Sequence, residues 1–224
     1  MERYLIIVEG KADIIFIKDY LIFLDSSLEL KEDNRKKQQY LSIASSSKII
    51  KIFYSGGYTK IKPSKTRIEK LQMDNGIKET YKILVIQDAD DPTKDDGGVV
   101  NRIEYLNNIN IEFQTFLFPN DEDDGDLETL LIKIVKHENY DKSFICYENY
   151  VNCVKKISEE KFANELLEDK NRVFNYFRTY YGMEDSKEEN RKYILDYWDF
   201  KSDALKPLKK FLLLELQNVS DDEV

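Results

Sequence analysis

Histidine, cysteine and tryptophan are nearly missing from this chain of 224 residues: one His, two Cys and one Trp. With His137 alone, no mechanism that needs two imidazoles is open, and a Ser-His-Asp arrangement would rest entirely on that residue. His137 reads instead as a helix-end residue. Cys146 and Cys153 make no C-x-x-C pair, so neither a zinc site nor a disulfide framework is indicated. They lie two helical turns apart and read as core positions. Glycine (8) and proline (4) are sparse, and no glycine-rich linker divides the chain. No G-x-x-x-x-G-K-[ST] phosphate loop is present. No apolar run reaches membrane length, and the opening MERYLIIVEG is too short for a signal peptide. The expectation is a cytoplasmic protein with no membrane partner.

Positive charge is also in short supply, with 34 Lys and Arg against 43 Asp and Glu and a formal charge of −9. That balance excludes a broad basic face for nucleic acid. It does not describe any single cleft. The local concentration of Lys60, Lys62, Lys65 and Arg67 is the best patch for a nucleic-acid backbone.

What the chain does have is alternation. Apolar runs at Tyr4–Val8, Ile49–Tyr54, Tyr81–Asp88 and Ile111–Pro119 read as strands. Each is followed by a helical pattern: Ala12–Leu24, a segment with Pro63 near its start, a segment after Gly97-Gly98, and Asp126–Lys136. In the third helix Val99, Ile103 and Leu106 share one stripe. Residues 25–47 are polar and read as a loop with a short helix. The expected fold is α/β, a four-stranded, mostly parallel sheet flanked by helices. After Lys136 the pattern turns helical, with "KFANELLEDKNRVFNYFRTYYG" as one such segment. This divides the chain into a core over residues 1–137 and a helical C-terminal elaboration over residues 138–224, packed on the core through Tyr193, Tyr197 and Trp198.

Sites of such sheets lie beyond the carboxyl ends of the strands, and acids gather there. Glu9 follows the first strand. Asp88 ends the third, and Asp90 lies two residues on, so the two side chains can share a face. Asp13 is one helical turn beyond Glu9. The segment "NDEDDGDLE" carries Asp126 and Glu128 after the fourth strand. Gathered like charges need compensation. A hard cation, Mg²⁺ or Mn²⁺, held by Glu9, Asp88 and Asp90 would supply it, with Asp13, Asp126 or Glu128 at a second position. The simpler readings are that Asp13 and Asp126 are helix caps and that "NDEDD" is a solvated loop. Lys11 and Arg102 are the cations nearest the acids, able to face a phosphate or to fix a carboxylate.

"VEGKAD" followed by a strand ending in "DAD" resembles the Toprim fold of topoisomerases, bacterial primases and the nucleases of the overcoming-lysogenization-defect family. The resemblance implies metal ligation by Glu9, Asp88 and Asp90. A longer pattern is similar to a small standalone bacterial family, DUF3226: Gly56-Gly57, Gly97-Gly98 with Arg102, "FPN…GDLETLL" and "WDF…ALKPLKKFL". The function implied is Mg²⁺-dependent phosphodiester hydrolysis, with Glu9, Asp88, Asp90, Lys11 and Arg102 as catalytic residues. The partners implied are a nucleic acid, a protein that supplies substrate recognition, or a second copy of the chain. The alternative is a non-catalytic binding or regulatory module on the same scaffold, because no DNA-gripping domain is visible. "IQDADD" also resembles the nucleophile segment of haloacid-dehalogenase-like phosphatases, but it follows the third strand rather than the first, and Pro92 stands where a Thr or Ser is expected.

Overall fold

Five consecutive residues of the first strand, Tyr4–Val8, are buried, because this strand lies in the middle of the sheet with both faces covered. The computed structural model describes residues 1–61, 65–74, 77–94, 96–136, 141–157, 176, 193 and 195–217. The elements are β1 (Glu2–Val8), α1 (Lys11–Leu24), β2 (Glu29–Asp33), α2 (Arg35–Gln38), β3 (Tyr40–Ala44), β4 (Lys48–Tyr54) and α3 (Lys65–Leu71). A small hairpin of β5 (Met73–Asp74) and β6 (Ile77–Lys78) follows, then β7 (Lys82–Asp88), α4 (Val99–Asn107), β8 (Gln114–Phe118), α5 (Leu127–Lys133) and α6 (Asp141–Ile157). The last helix, α7, spans Lys206–Gln217.

The main sheet has six strands in the order β2-β3-β4-β1-β7-β8. β1 pairs in parallel with β4 and with β7, and β7 in parallel with β8. β3 runs antiparallel to β4, and β2 antiparallel to β3. The sheet is therefore mixed, which corrects the expectation of a four-stranded, mostly parallel one. The two added strands come from the segment read as a loop. All five residues of β2, ELKED, are exposed. An edge strand coated in charge resists pairing with other chains, and the same charge hides it from hydrophobic patterning.

Alternation along each central strand sends side chains to two cores. Tyr4, Ile6 and Val8 join Leu84, Ile86, Phe116, Phe118 and the apolar face of α1. Leu5 and Ile7 join Phe53, Val85, Leu117, Ile68 of α3 and Leu106 of α4. Helix α1 is buried by more than the sheet. Residues near the C-terminus close over its other side, where Phe200 meets Tyr20 at 5.3 Å and Phe23 at 5.5 Å between ring centroids. Such edge-to-face pairs add roughly 0.5–1.5 kcal/mol each beyond the area they bury. Backbone bonds pin the same segment, from Asp199 N–H to the Ile134 carbonyl (2.7 Å) and from Lys136 N–H to the Tyr197 carbonyl (2.9 Å). Tyr193 and Trp198 are buried in this core.

Two smaller expectations change. Ile103 of α4 faces solvent and Arg102 is buried in its place. Cys146 and Cys153 are exposed rather than core. His137, Lys62, Pro63, residues 219–224 and, apart from Tyr176, residues 161–182 lie outside the described residues. No helix among the described residues is long and apolar enough to cross a membrane.

Candidate functional site

Because β1 and β7 are neighbours, Glu9 and Asp88 come together at one end of the sheet. The loop after β4 wraps the Glu9 backbone: Gly56 and Gly57 N–H donate to the Glu9 carbonyl at 3.0 and 3.3 Å. Both glycines have positive φ, 86° and 129°, a conformation that a side chain would strain. This explains the glycine pair after the strand. The Glu9 carboxyl accepts a hydrogen bond from the Tyr58 backbone, while its Oε2 is buried with no partner. Burial, then the charges of Asp13 and Asp90, push its pKa up to about 7, against a smaller opposing pull from Arg102 and the Tyr58 N–H.

Asp13 is the third residue of α1 and is 6% exposed. Its Oδ2 accepts the Gly10 N–H at 2.8 Å, closing the start of the helix. Asp126 is the N-cap of α5. Its Oδ1 accepts from both the N–H and the hydroxyl of Thr129 at 2.7 Å, and the Thr129 hydroxyl in turn accepts the Asp126 N–H at 3.3 Å. Glu128 is buried in the first turn of the same helix.

Asp88 accepts the Leu127 N–H at 2.9 Å. The residue keeps part of its surface in solvent, yet its carboxyl is desolvated and surrounded by Asp13, Glu9, Glu128 and Asp126. Burial first, and those charges after it, hold its pKa well above the ordinary carboxylate range. These surroundings favour the protonated form of Asp88 more than those of a free aspartate do.

Asp90 adopts φ 63° and exchanges backbone bonds with Gly125. Its Oδ2 accepts from Arg102 Nη2. The Arg102 guanidinium is 2% exposed and lies 3.4 Å from the centroid of the Tyr58 ring. A buried arginine is tolerable when a carboxylate and an aromatic face both meet it. The tight loop Asp91–Gly98 aims α4 at this position. A Cβ on Gly97 would stand 2.1 Å from the Asp91 carbonyl oxygen, so only glycine fits there.

Among the described residues, no group of three or more His, Cys, Asp or Glu side chains is disposed to hold a metal ion. The expectation of Mg²⁺ or Mn²⁺ at Glu9, Asp88 and Asp90, with Asp13, Asp126 or Glu128 at a second position, is overturned. With it fall the metal-dependent hydrolysis and the nuclease reading built on that site. The physical reason lies in the partners. Asp13 and Asp126 are engaged by helix ends, Asp88 by a backbone N–H and a raised pKa, and Asp90 by Arg102. N–H groups and one guanidinium meet the carboxylates of Asp13, Asp88, Asp90 and Asp126.

Sequence reasoning missed Asp124, whose Oδ1 accepts the Val99 N–H at 2.8 Å and so caps α4 from the acidic loop. A cap supplied from 25 residues away leaves no local signature. Asp121 likewise accepts the Leu117 N–H at 2.9 Å, so "NDEDD" is more than a solvated loop. The patch expected around Arg67 is structural at that residue. Arg67 Nη2 donates to the Gln38 carbonyl at 2.7 Å, Nη1 donates to Gln39 Oε1, and the guanidinium covers the Phe53 ring at 4.9 Å. Lys11 is exposed at the start of α1 and faces a separate cleft.

A protein-family model described as "Protein of unknown function (DUF3226)" matches residues 3–215. The crystal structure of the hypothetical protein PH0156 from Pyrococcus horikoshii OT3 is similar at a TM-score of 0.44 and 13% identity, over 80% of this chain and 95% of that one. No curated protein matches the sequence.

Proposed function

We propose that this chain, which belongs to the DUF3226 family, is a non-catalytic binding or regulatory module on a Toprim-like scaffold. The Toprim-like reading is supported by the parallel run β4-β1-β7-β8, with Glu9 directly after β1 and Asp88-Ala89-Asp90 at the end of β7. On this reading residues 1–137 are the core and residues 138–224 its elaboration.

The carrying observation is where the acids find their partners. A hydrolytic centre needs carboxylates that are ionised and open to a cation. Here Asp88 accepts the Leu127 N–H and has a raised pKa, Asp90 is bound to Arg102, and Asp13 and Asp126 close the starts of α1 and α5. The acid group acts as the brace that joins the ends of β1 and β7 to the starts of α1, α4 and α5. A rigid strand-end platform of this kind suits ligand or partner recognition. The test is incubation of high protein concentrations with plasmid, single-stranded DNA and RNA in the presence of Mn²⁺, beside Asp88→Asn. The expected result is no cleavage that depends on Asp88. Cleavage by the unaltered protein that disappears in the variant overturns the reading.

A further inference from the structure

The cleft that Lys11 faces occupies a particular place in the topology. From β1 the chain moves to β4 on one side, and from β4 it returns across β1 to β7 on the other. Helix α1, after β1, packs in one core, and α3, after β4, packs in the opposite one. The winding reverses between β1 and β7, the usual place for a ligand crevice in an open α/β sheet, and the carboxyl ends of β1 and β4 lie beside that point. A cavity of about 790 Å³ lies there, within the range of small-molecule sites. Among the described residues, its wall includes Lys11, Tyr54 at the end of β4, and Asp33, Asn34, Arg35, Lys36 and Lys37 of the β2–β3 hairpin.

Its charge is opposite to that of the whole protein. Among the described residues that line it, four are cations, Lys11, Arg35, Lys36 and Lys37, and one is an acid, Asp33. Asp33 is spent on Arg35, with Nε donating to Oδ1 at 2.9 Å and Nη2 to Oδ2 at 2.7 Å. The turn that carries the lysines is braced. Tyr54 hydroxyl donates to the Arg35 carbonyl at 3.2 Å, and Arg67 holds the far end through the Gln38 carbonyl. Asn34 Nδ2 donates to the Tyr40 hydroxyl at 2.9 Å. Lys36 and Lys37 are exposed on a fixed support, so little ordering is required of the backbone on binding. Glu9 directly follows β1, two residues before Lys11, while Asp88 ends β7 and Asp90 lies just beyond it.

We propose that this cleft binds a compact polyphosphate anion, free or as the phosphates of a nucleotide. The proposal rests on the binding-module reading and names its ligand class. A compact anion fits among Lys11, Lys36 and Lys37, beside the Arg35–Asp33 pair. A long polyanion would leave the cleft and run over a protein of net charge −9, so the charge balance favours the small ligand. Lys11 and the α2 lysines act as point charges on the phosphates, and the interaction weakens with salt.

Calorimetric titrations at low salt without divalent cations test this, using ATP, inorganic tripolyphosphate and a single-stranded 12-mer DNA. The expected result is saturable ATP binding that weakens at least tenfold in Lys36→Glu/Lys37→Glu. It should be unchanged in Lys70→Glu/Lys209→Glu, which carries the same charge change on exposed lysines elsewhere. Circular dichroism melting of both variants reports folding. Failure of the unaltered protein to bind ATP, or equal weakening in both pairs, overturns the proposal, and so does tighter binding of the 12-mer than of ATP. Tripolyphosphate binding as tight as ATP supports recognition of the phosphates alone, and tighter ATP binding supports a nucleotide. Recovery of hydrolysed ATP would sink the non-catalytic reading while leaving the cleft assignment intact.

Discussion

Asp90 and Arg102, twelve residues apart, form an ion pair in which the arginine side chain is 2% exposed and the aspartate side chain 24%. The asymmetry sets an order for their substitutions. Asp90→Asn leaves a guanidinium buried without its counter-charge, at a cost of roughly 3–5 kcal/mol. Asparagine accepts the left-handed backbone at φ 63°, so the cost is electrostatic rather than conformational. Arg102→Met leaves a carboxylate that water still reaches, and the loss should be smaller, roughly 2–3 kcal/mol. Urea unfolding of both variants checks the order. A larger loss in Arg102→Met contradicts it.

Glu9 makes stability depend on pH in a defined direction. Its folded pKa of about 7 lies above the unfolded value, so the folded state binds the extra proton. Stability from this group is intact below about pH 4, where both states are protonated, and falls as pH rises toward and through 7. The full loss is at most about 3 kcal/mol. Asp88, also raised, adds in the same direction. Glu9→Gln should flatten this part of the profile, with a gain in stability over the unaltered protein at pH 8 and none at pH 4. Chemical denaturation across that range is the measurement. A steeper profile in the variant would reverse the sign of the argument.

Asp126 should behave as a cap. Asp126→Ala removes the acceptor for the Thr129 N–H and hydroxyl and costs about 1 kcal/mol, within a range of roughly 0.5–2. Thr129→Ala removes part of the same box, so the double variant should lose less than the sum of the two. Strict additivity in urea melts would show that the two residues act separately.

The legible parts of the fold were those in which burial forces an apolar run. β1, β4, β7 and β8 are such runs, and their order with the helices pointed to an α/β sheet. β2 was hidden because an exposed edge is made of ELKED. β3 was hidden because Ser42 interrupts a strand buried along its whole length. At the site, the same acids that suggested a metal were correctly placed at strand and helix ends. The cap roles of Asp13 and Asp126 were legible as the simpler reading, and Arg102 as a cation able to face a phosphate or to fix a carboxylate. That Asp90 is the carboxylate it meets was not legible, and the left-handed turn at Asp90 shows why Arg102 is drawn inward. The cationic cleft was obscured by a net charge that averages over the whole surface, and by reading its hairpin as a loop.

The central claim is that Asp88 and Asp90 are held by the Leu127 N–H and by Arg102 rather than by a cation. Titration calorimetry with Mn²⁺ at pH 7, on the unaltered protein and on Asp88→Asn/Asp90→Asn, tests it most directly. The account predicts no saturable, stoichiometric heat that depends on these two residues. Binding of one or two Mn²⁺ per chain that the double variant abolishes would contradict it.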